Sequence, residues 1–441
     1  MSSPQEILVE SIPRHPLYPS PESHRQNTRF SIEKRLYGNA SADAKLKPMA
    51  TAHDLERRVV VQQPENSETP LSEIRSWVTP NRLFFVRNHF DVPEIDVETW
   101  RLRVSGLVDR ELELDWNLIR DLPVRSVFAT MECAGNGRSF LEQSVHGVQW
   151  GAGAIGHAEW TGVPLHLVLE QAGLQPEARE IVFTGADRGK ESDHPNTMAF
   201  ARSLPVDVAL HRDTLLATSM NGEPLNAAHG APVRLLVPGW YGVASVKWLE
   251  RIHVTDKQFQ GYYQSKKYTV TRRTASGMVT EIVGEMQPKS EILRPQSGET
   301  LGVGLHRILG VAWAGPDAVS AVEVSTDNGK TWAQAELAGI SAPYSWTMWE
   351  FSWRPDQPQT CTILSRAISS GGRTQPMRHD PLCGGYLIHY SRPIEVQVEA
   401  VWSAGDELNR EQVKQAFDQA AEDRSQMQLD IEMKYADGGG I

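Results

Sequence analysis

Trp100, Leu102 and Val104 alternate with Arg101, Arg103 and Ser105, the period of two that a strand with one buried face requires. Asp115 then opens a short helical stretch that Pro123 stops. Residues 124–131 predict a strand that delivers Cys133 to a loop, and residues 164–171 a helix with proline in its first turn and Gly173 as its stop. A further strand is expected at 180–184, followed by a polar loop at Asp187-Arg188-Gly189-Lys190, and residues 233–238 and 245–254 complete a mixed α/β segment. Helical periodicity is poor here, so the pattern is not the strand-helix rhythm of a doubly wound sheet. Near Pro288 the chain changes to short alternating strands separated by turn signals. Val311-Ala312-Trp313, Ala321-Val322-Glu323-Val324-Ser325 and Thr331-Trp332 surround the hairpin cue Asp327-Asn328-Gly329-Lys330. With the stretches 349–353, 361–367 and 394–398 they predict a β-sandwich of immunoglobulin type.

The ends read differently. Residues 1–74 are rich in Pro, Ser, Asn and charge with weak periodicity, and read as an extended arm. After Trp402, Val413, Phe417, Ala420 and Ala421 recur at helical spacing among acidic residues, so an amphipathic helix and tail is expected over 402–441. The fold class expected is α+β, with a mixed α/β domain over 75–287 followed by the sandwich over 288–401.

Composition narrows the chemistry. At 441 residues, with 40% hydrophobic and 22% charged positions, the chain has material for two ordinary globular cores. A net charge of −11 without a basic cluster argues against a nucleic-acid partner, while leaving room for a small anion held by a few local arginines. Three cysteines, Cys133, Cys361 and Cys383, make neither a disulfide framework nor a zinc site. No basic segment followed by an apolar one opens the chain, no twin-arginine leader is seen and no run approaches the ~18 apolar residues of a membrane span, so a soluble cytoplasmic protein without membrane contact is expected.

Cys133 lies in the run Met131-Glu132-Cys133-Ala134-Gly135-Asn136-Gly137-Arg138, where a thiolate between a strand and a Gly-Asn turn is well placed to ligate a soft metal. On chemistry alone a free cysteine is more often a small buried hydrophobe. Arg87 and His89 sit two apart in an extended or turning stretch and could face one pocket; a guanidinium offers an oxyanion a planar, permanently charged fork, and the bland alternative is a solvated arginine beside a capping histidine.

The cysteine run resembles the molybdenum-binding segment of the sulfite oxidase family of molybdopterin enzymes, whose pattern is Cys-Ala-Gly-Asn followed by a basic pair. Here the pair reads Gly137-Arg138, so one arginine is missing. Further blocks follow in the family's order: Phe84-Phe85-Val86-Arg87-Asn88-His89, His146-Gly147-Val148-Gln149-Trp150, Met220-Asn221-Gly222-Glu223-Pro224-Leu225, His229-Gly230-Ala231-Pro232-Val233-Arg234, Val246-Lys247-Trp248-Leu249 and Tyr263-Gln264-Ser265-Lys266-Lys267-Tyr268. The resemblance implies that Cys133 is the protein's ligand to molybdenum in a molybdopterin cofactor. It implies catalytic roles for Arg87, Arg138, His89 and Tyr268, and a substrate pocket formed by Arg87, Arg138, Trp150 and Tyr268. Phe85, Asn88, His89, Asp187, His229, Arg234, Ser245 and Lys247 are implied to hold the cofactor.

The activity implied is oxidation of sulfite to sulfate by oxygen-atom transfer at a cysteine-ligated oxo-molybdenum centre. Electrons then leave to an external acceptor, a cytochrome or dioxygen, because neither a Cys-x-x-Cys-His haem motif nor a Gly-x-Gly-x-x-Gly nucleotide motif is present. The resemblance also implies a homodimer built through the sandwich. One departure concerns substrate: animal members carry a further arginine in the sandwich, expected here at Tyr344-Ser345-Trp346-Thr347-Met348-Trp349, where none stands. A related enzyme acting on sulfane sulfur, a sulfoxide or nitrate, and a non-catalytic scaffold that retains the fold, are the alternatives.

Overall fold

The computed structural model describes residues 56–400, Arg75 excepted. The C-terminal amphipathic helix and the arm as far as residue 55 lie outside the described residues. From residue 56 the stretch expected as an arm forms a hairpin, Arg58–Val61 against Asn66–Glu68. Ser67 pairs with Val86 through two backbone hydrogen bonds of 3.0 and 2.9 Å, which carries the hairpin onto the block that holds Arg87.

Two five-stranded sheets follow, the first antiparallel throughout and the second mixed. In one, Arg125–Glu132, Ile155–Pro164, Leu215–Met220 and Glu223–Pro224 lie in order, with Arg234–Leu236 also paired to Leu215–Met220. In the other, the order is Leu112–Leu114, Leu102–Gly106, Leu249–Thr255, Glu180–Glu191 and His194–Pro205, and the contact between Leu102–Gly106 and Leu249–Thr255 is parallel. The alternation at Leu102 and Val104 is realised as two fully buried side chains flanking exposed Arg103. Asp115 caps the helix Trp116–Arg120 by accepting from the Leu118 amide, and Gly173, at φ 73°, ends the helix Leu165–Ala172. Among the described residues no helix is long and apolar enough to cross a membrane.

The polar loop expected at Asp187 to Lys190 is instead part of the strand Glu180–Glu191, which makes a long hairpin with His194–Pro205. The register shifts between Thr184 and Arg188, so Asp187 lies at a bulge and its carboxylate turns inward while Arg188 remains exposed. A bulge breaks the period of two, and that is why alternation alone reads this stretch as a loop.

The second domain is a sandwich. One sheet orders Lys289–Arg294, His306–Trp313, Thr347–Trp353 and Glu336–Ala338; the other orders Thr300–Gly302, Ile394–Glu399, Gln359–Ser369, Val319–Ser325 and Ala333–Gln334. Ile308, Val322, Trp349, Ile363 and Val396 fill the space between them. At the hairpin cue, Asn328 and Gly329 take φ of 60° and 81°, and Asp327 accepts from both the amide and the hydroxyl of Thr331. The two domains share a core: Val311, Trp313, Trp346 and Leu387 join the buried cluster that contains Trp100, Tyr241 and Ile252.

Candidate active site

The strand Arg125–Glu132 ends at the cysteine, and the turn after it is laced to the incoming strand. The Cys133 amide donates to Ala154 O at 2.9 Å, the Gly137 amide to Gly151 O at 2.7 Å and the Ser139 amide to Trp150 O at 3.0 Å, while Asn136 Oδ1 accepts from the Ala154 amide at 3.0 Å. These bonds satisfy the loop's backbone at low exposure; Cys133 itself is 7% accessible. A Cβ on Gly135 would lie 2.2 Å from Arg138 Nη2, so a side chain there would displace that guanidinium.

Cys133 stands where two parts of one cleft meet. The inner part is lined by Phe85, Asp187, His229, Arg234, Ser245 and Lys247, and the outer part by Arg138, Trp150, Glu191, Lys267 and Tyr386; Arg87, Asn88, His89, Cys133 and Tyr268 border both. The outer part opens to solvent with a volume of about 760 Å³. Every residue singled out from the sequence therefore borders this one cleft.

The inner part is rich in buried positive charge. Arg234 donates to His229 O and Ser245 O, each at 3.1 Å, and its Nε has no partner. Burial lowers its pKa to about 9. Lys247 donates to Ala228 O at 2.9 Å and to Asn88 Oδ1, over the Trp248 ring, and burial together with Arg234 drives its pKa well down. Burial raises Asp187 to about 6, against the opposing pull of Lys247. His229 is lowered to about 3 by burial and then by Arg234. Two buried basic groups with a single carboxylate for company, and an unsatisfied guanidinium nitrogen, form a site that an anion completes.

The side of the cleft that faces the mouth combines a cation with a neutral donor chain. Arg87 spends Nη1 on Asn66 Oδ1 at 3.2 Å and on Asn88 O, and lies against the Tyr268 hydroxyl. Tyr268 Oη is 2.7 Å from His89 Nε2. Burial raises the phenol's pKa, while burial and then Arg87 hold the imidazole's well below its ordinary value. Both groups are neutral, and the tautomer of the imidazole sets which of them donates in this bond. Arg138 is committed elsewhere: Nε and Nη2 donate to Gly385 O at 3.2 and 2.8 Å, and Nη1 to Val148 O at 2.8 Å. Trp150 is fully buried and packs among Phe84, Phe85 and Met131 beside Cys133.

Several residues at the site carry no sequence signal of their own. Glu191 accepts from Tyr263 Oη at 2.6 Å at the mouth. Arg202, 1% accessible, donates to Tyr263 O and Val283 O behind Tyr268, its Cζ 6.0 Å from that ring. The aromatic stretch in which the resemblance places a further arginine does not border the cleft: Trp346 packs at His157 and exchanges indole-to-carbonyl hydrogen bonds with Trp77. The sandwich-side residues at the mouth are Gly385 and Tyr386, brought there by the loop before the strand Ile394–Glu399.

Among the described residues no group of three or more His, Cys, Asp or Glu side chains could hold a metal ion. A metal here would therefore take one thiolate from the chain, with its remaining donors from a bound cofactor; a lone thiol beside a cationic, partly unsatisfied cleft fits such a group.

Residues 89–263 match the oxidoreductase molybdopterin binding domain, and residues 280–383 the Mo-co oxidoreductase dimerisation domain. The chain is 35% identical over 362 residues to the mitochondrial sulfite oxidase of Rattus norvegicus, covering 77% of this chain and 65% of that one, so it spans just under two thirds of that relative's length. It is 32% identical over 347 residues to the sulfite oxidase of Arabidopsis thaliana, covering 72% of this chain and 88% of the relative. Among solved structures, that of the sulfane dehydrogenase SoxCD from Paracoccus pantotrophus superimposes with a TM-score of 0.69 at 27% identity, covering 83% of this chain and 96% of the other.

Proposed function

The chain belongs to the sulfite oxidase family of molybdopterin oxidoreductases, and from that membership we propose that it oxidises sulfite to sulfate at molybdenum held by Cys133. The observation that carries the proposal is the convergence of Arg87, Tyr268 and Cys133 at the join between a closed cationic cleft and an open mouth. Arg234, Lys247, Asn88, His229, Ser245 and Asp187 would hold the anionic, polar cofactor, with Phe85 against it. When bound, the cofactor supplies a redox-active metal able to exchange oxygen with a small substrate.

The chain's own contribution is binding and proton control. Arg87 presents a permanently charged guanidinium to the anion and fixes it at Cys133. Trp150 and Phe85 keep bulk solvent from the reacting side. With His89 donating to it from Nε2, Tyr268 Oη keeps its one proton free to donate to an oxygen that gains negative charge. The net conversion adds water to sulfite and releases sulfate, two protons and two electrons, the electrons passing to an external acceptor such as a cytochrome or dioxygen. A homodimer through the sandwich is part of the same reading, supported by the dimerisation-domain match.

A second reading keeps the chemistry and changes the substrate to sulfane sulfur, a sulfoxide or nitrate. The observation that favours it is Arg138, whose three hydrogen bonds to Gly385 O and Val148 O leave Arg87 as the better placed anion ligand. Molybdenum-loaded protein assayed with sulfite in parallel against dioxygen, ferricyanide and cytochrome c separates the two. Sulfite turnover is expected with one of the acceptors at least, and Arg87→Gln should raise KM for sulfite by ~10- to 100-fold, the worth of a charge-assisted hydrogen bond. Absence of sulfite turnover, with turnover of a sulfane compound against the same acceptors or of a sulfoxide or nitrate with an added electron donor such as reduced viologen, would establish the second reading.

A further inference from the structure

We infer that Lys289, on the first strand of the sandwich, forms with Glu132 an interdomain positioning pair that sets the geometry of the Cys133 loop, an inference that rests on the assignment of Cys133 as the metal ligand. One ammonium grips both ends of the loop: Lys289 Nζ is 3.2 Å from Glu132 Oε1 and donates to Asn136 O at 3.4 Å. Glu132 is saturated by the same neighbourhood, Oε1 also accepting from Asn136 Nδ2 at 3.0 Å and Oε2 from Trp313 Nε1 at 2.9 Å. Lys289 and Trp313 are cross-strand partners in the sandwich, so one pair of adjacent strands delivers both groups to the carboxylate.

The cluster is balanced, and the pair at its centre is dry. Lys289 and Glu132 side chains are each 2% accessible; Glu291 Oε1 lies 3.7 Å from Lys289 Nζ, and Arg392 Nη2 meets Glu291 Oε2 at 3.0 Å. Two cations thus face two carboxylates, with Lys289, Glu132 and Glu291 shielded from bulk water and Arg392 partly open to it. Burying such a set adds little net stability compared with apolar residues of the same volume, and its value lies in fixing one arrangement. The arrangement fixed here is the turn that presents Cys133.

The cation also enters at a telling position. Gly137 stands where the resemblance expects the first of two basic residues, and a Cβ built on Gly137 would lie 3.7 Å from Lys289 Nζ. The positive charge missing from the loop's own sequence is supplied beside the same point by the second domain. The sandwich is then part of the catalytic apparatus as well as the surface matched to dimerisation.

Glu132→Gln, Lys289→Arg and the double change Glu132→Gln with Lys289→Met test this in the molybdenum-loaded full chain. The double change removes one charge of each sign and leaves Glu291 with Arg392, so its Tm is expected within ~4 °C of the parent. Molybdenum loss during dialysis should be ~10-fold or more faster in the double variant and in Glu132→Gln, with kcat reduced ~10-fold and KM for sulfite within about twofold, while Lys289→Arg retains the metal at nearly the parent rate. If the double variant does not fold, Glu132→Gln alone decides, because it leaves Lys289 paired with Glu291. Parent-like metal retention and kcat in Glu132→Gln would overturn the inference. A parent chain that takes up no molybdenum would instead overturn the functional reading beneath it.

Discussion

His157 is a buried group with little compensation: Thr130 Oγ1 lies 3.1 Å from Nδ1, Nε2 has no partner, and Trp77, Phe128 and Trp346 surround the ring. Burial lowers its pKa from 6.5 to about 3. Between those values the unfolded chain binds a proton that the folded chain does not, so stability falls as pH falls through this window, by ~3–5 kcal/mol for this residue. Denaturant unfolding between pH 7 and pH 3 should show a shallower acid limb in His157→Gln; parallel limbs would show that His157 charges freely in the fold. Single residues were legible in the sequence when a local motif surrounded them, as for Arg87, Cys133, His229 and Tyr268. Glu132, Glu191, Arg202 and Lys289 were not, because a lone charged residue in a strand reads as surface. Each acquires its meaning only from a neighbour far along the chain.

At the scale of elements, strands and turns with unbroken alternation or a strong breaker were readable, as at Leu102–Gly106, Asp115 and Gly173. Those distorted by function were not. The bulge that turns Asp187 inward erases the strand pattern, and Tyr268 adopts φ 54°, a left-handed backbone that no residue-type rule assigns to tyrosine. That conformation is held from both sides: the Val283 amide donates to Tyr268 O at 2.8 Å, and Arg202 bridges Val283 O to Tyr263 O. Arg202→Met should free this segment, raising the hydrogen-exchange rate of the Val283 amide by ~10-fold or more relative to the strand core at Ile252. Equal protection in the variant and the parent would mean that the turn holds itself.

For the whole molecule, the two-domain α+β plan followed from the change of pattern near Pro288, since a mixed segment and a run of short alternating strands cannot share one layer. What pattern could not convey is how the domains meet. The approach of Lys289, Trp313 and Tyr386 to the cysteine cleft depends on interdomain packing with no local period. The dimer proposed for this chain predicts a solution mass of twice the 49.2 kDa chain, measurable by light scattering at micromolar concentration, and a monomer there would refute it. The proposed activity depends on one sulfur atom, and molybdenum-edge X-ray absorption of the loaded protein addresses it directly. The parent should show one more sulfur neighbour around the metal than Cys133→Ser does, together with loss of turnover in the variant. Identical first shells in the two proteins would contradict the assignment of Cys133 as the ligand.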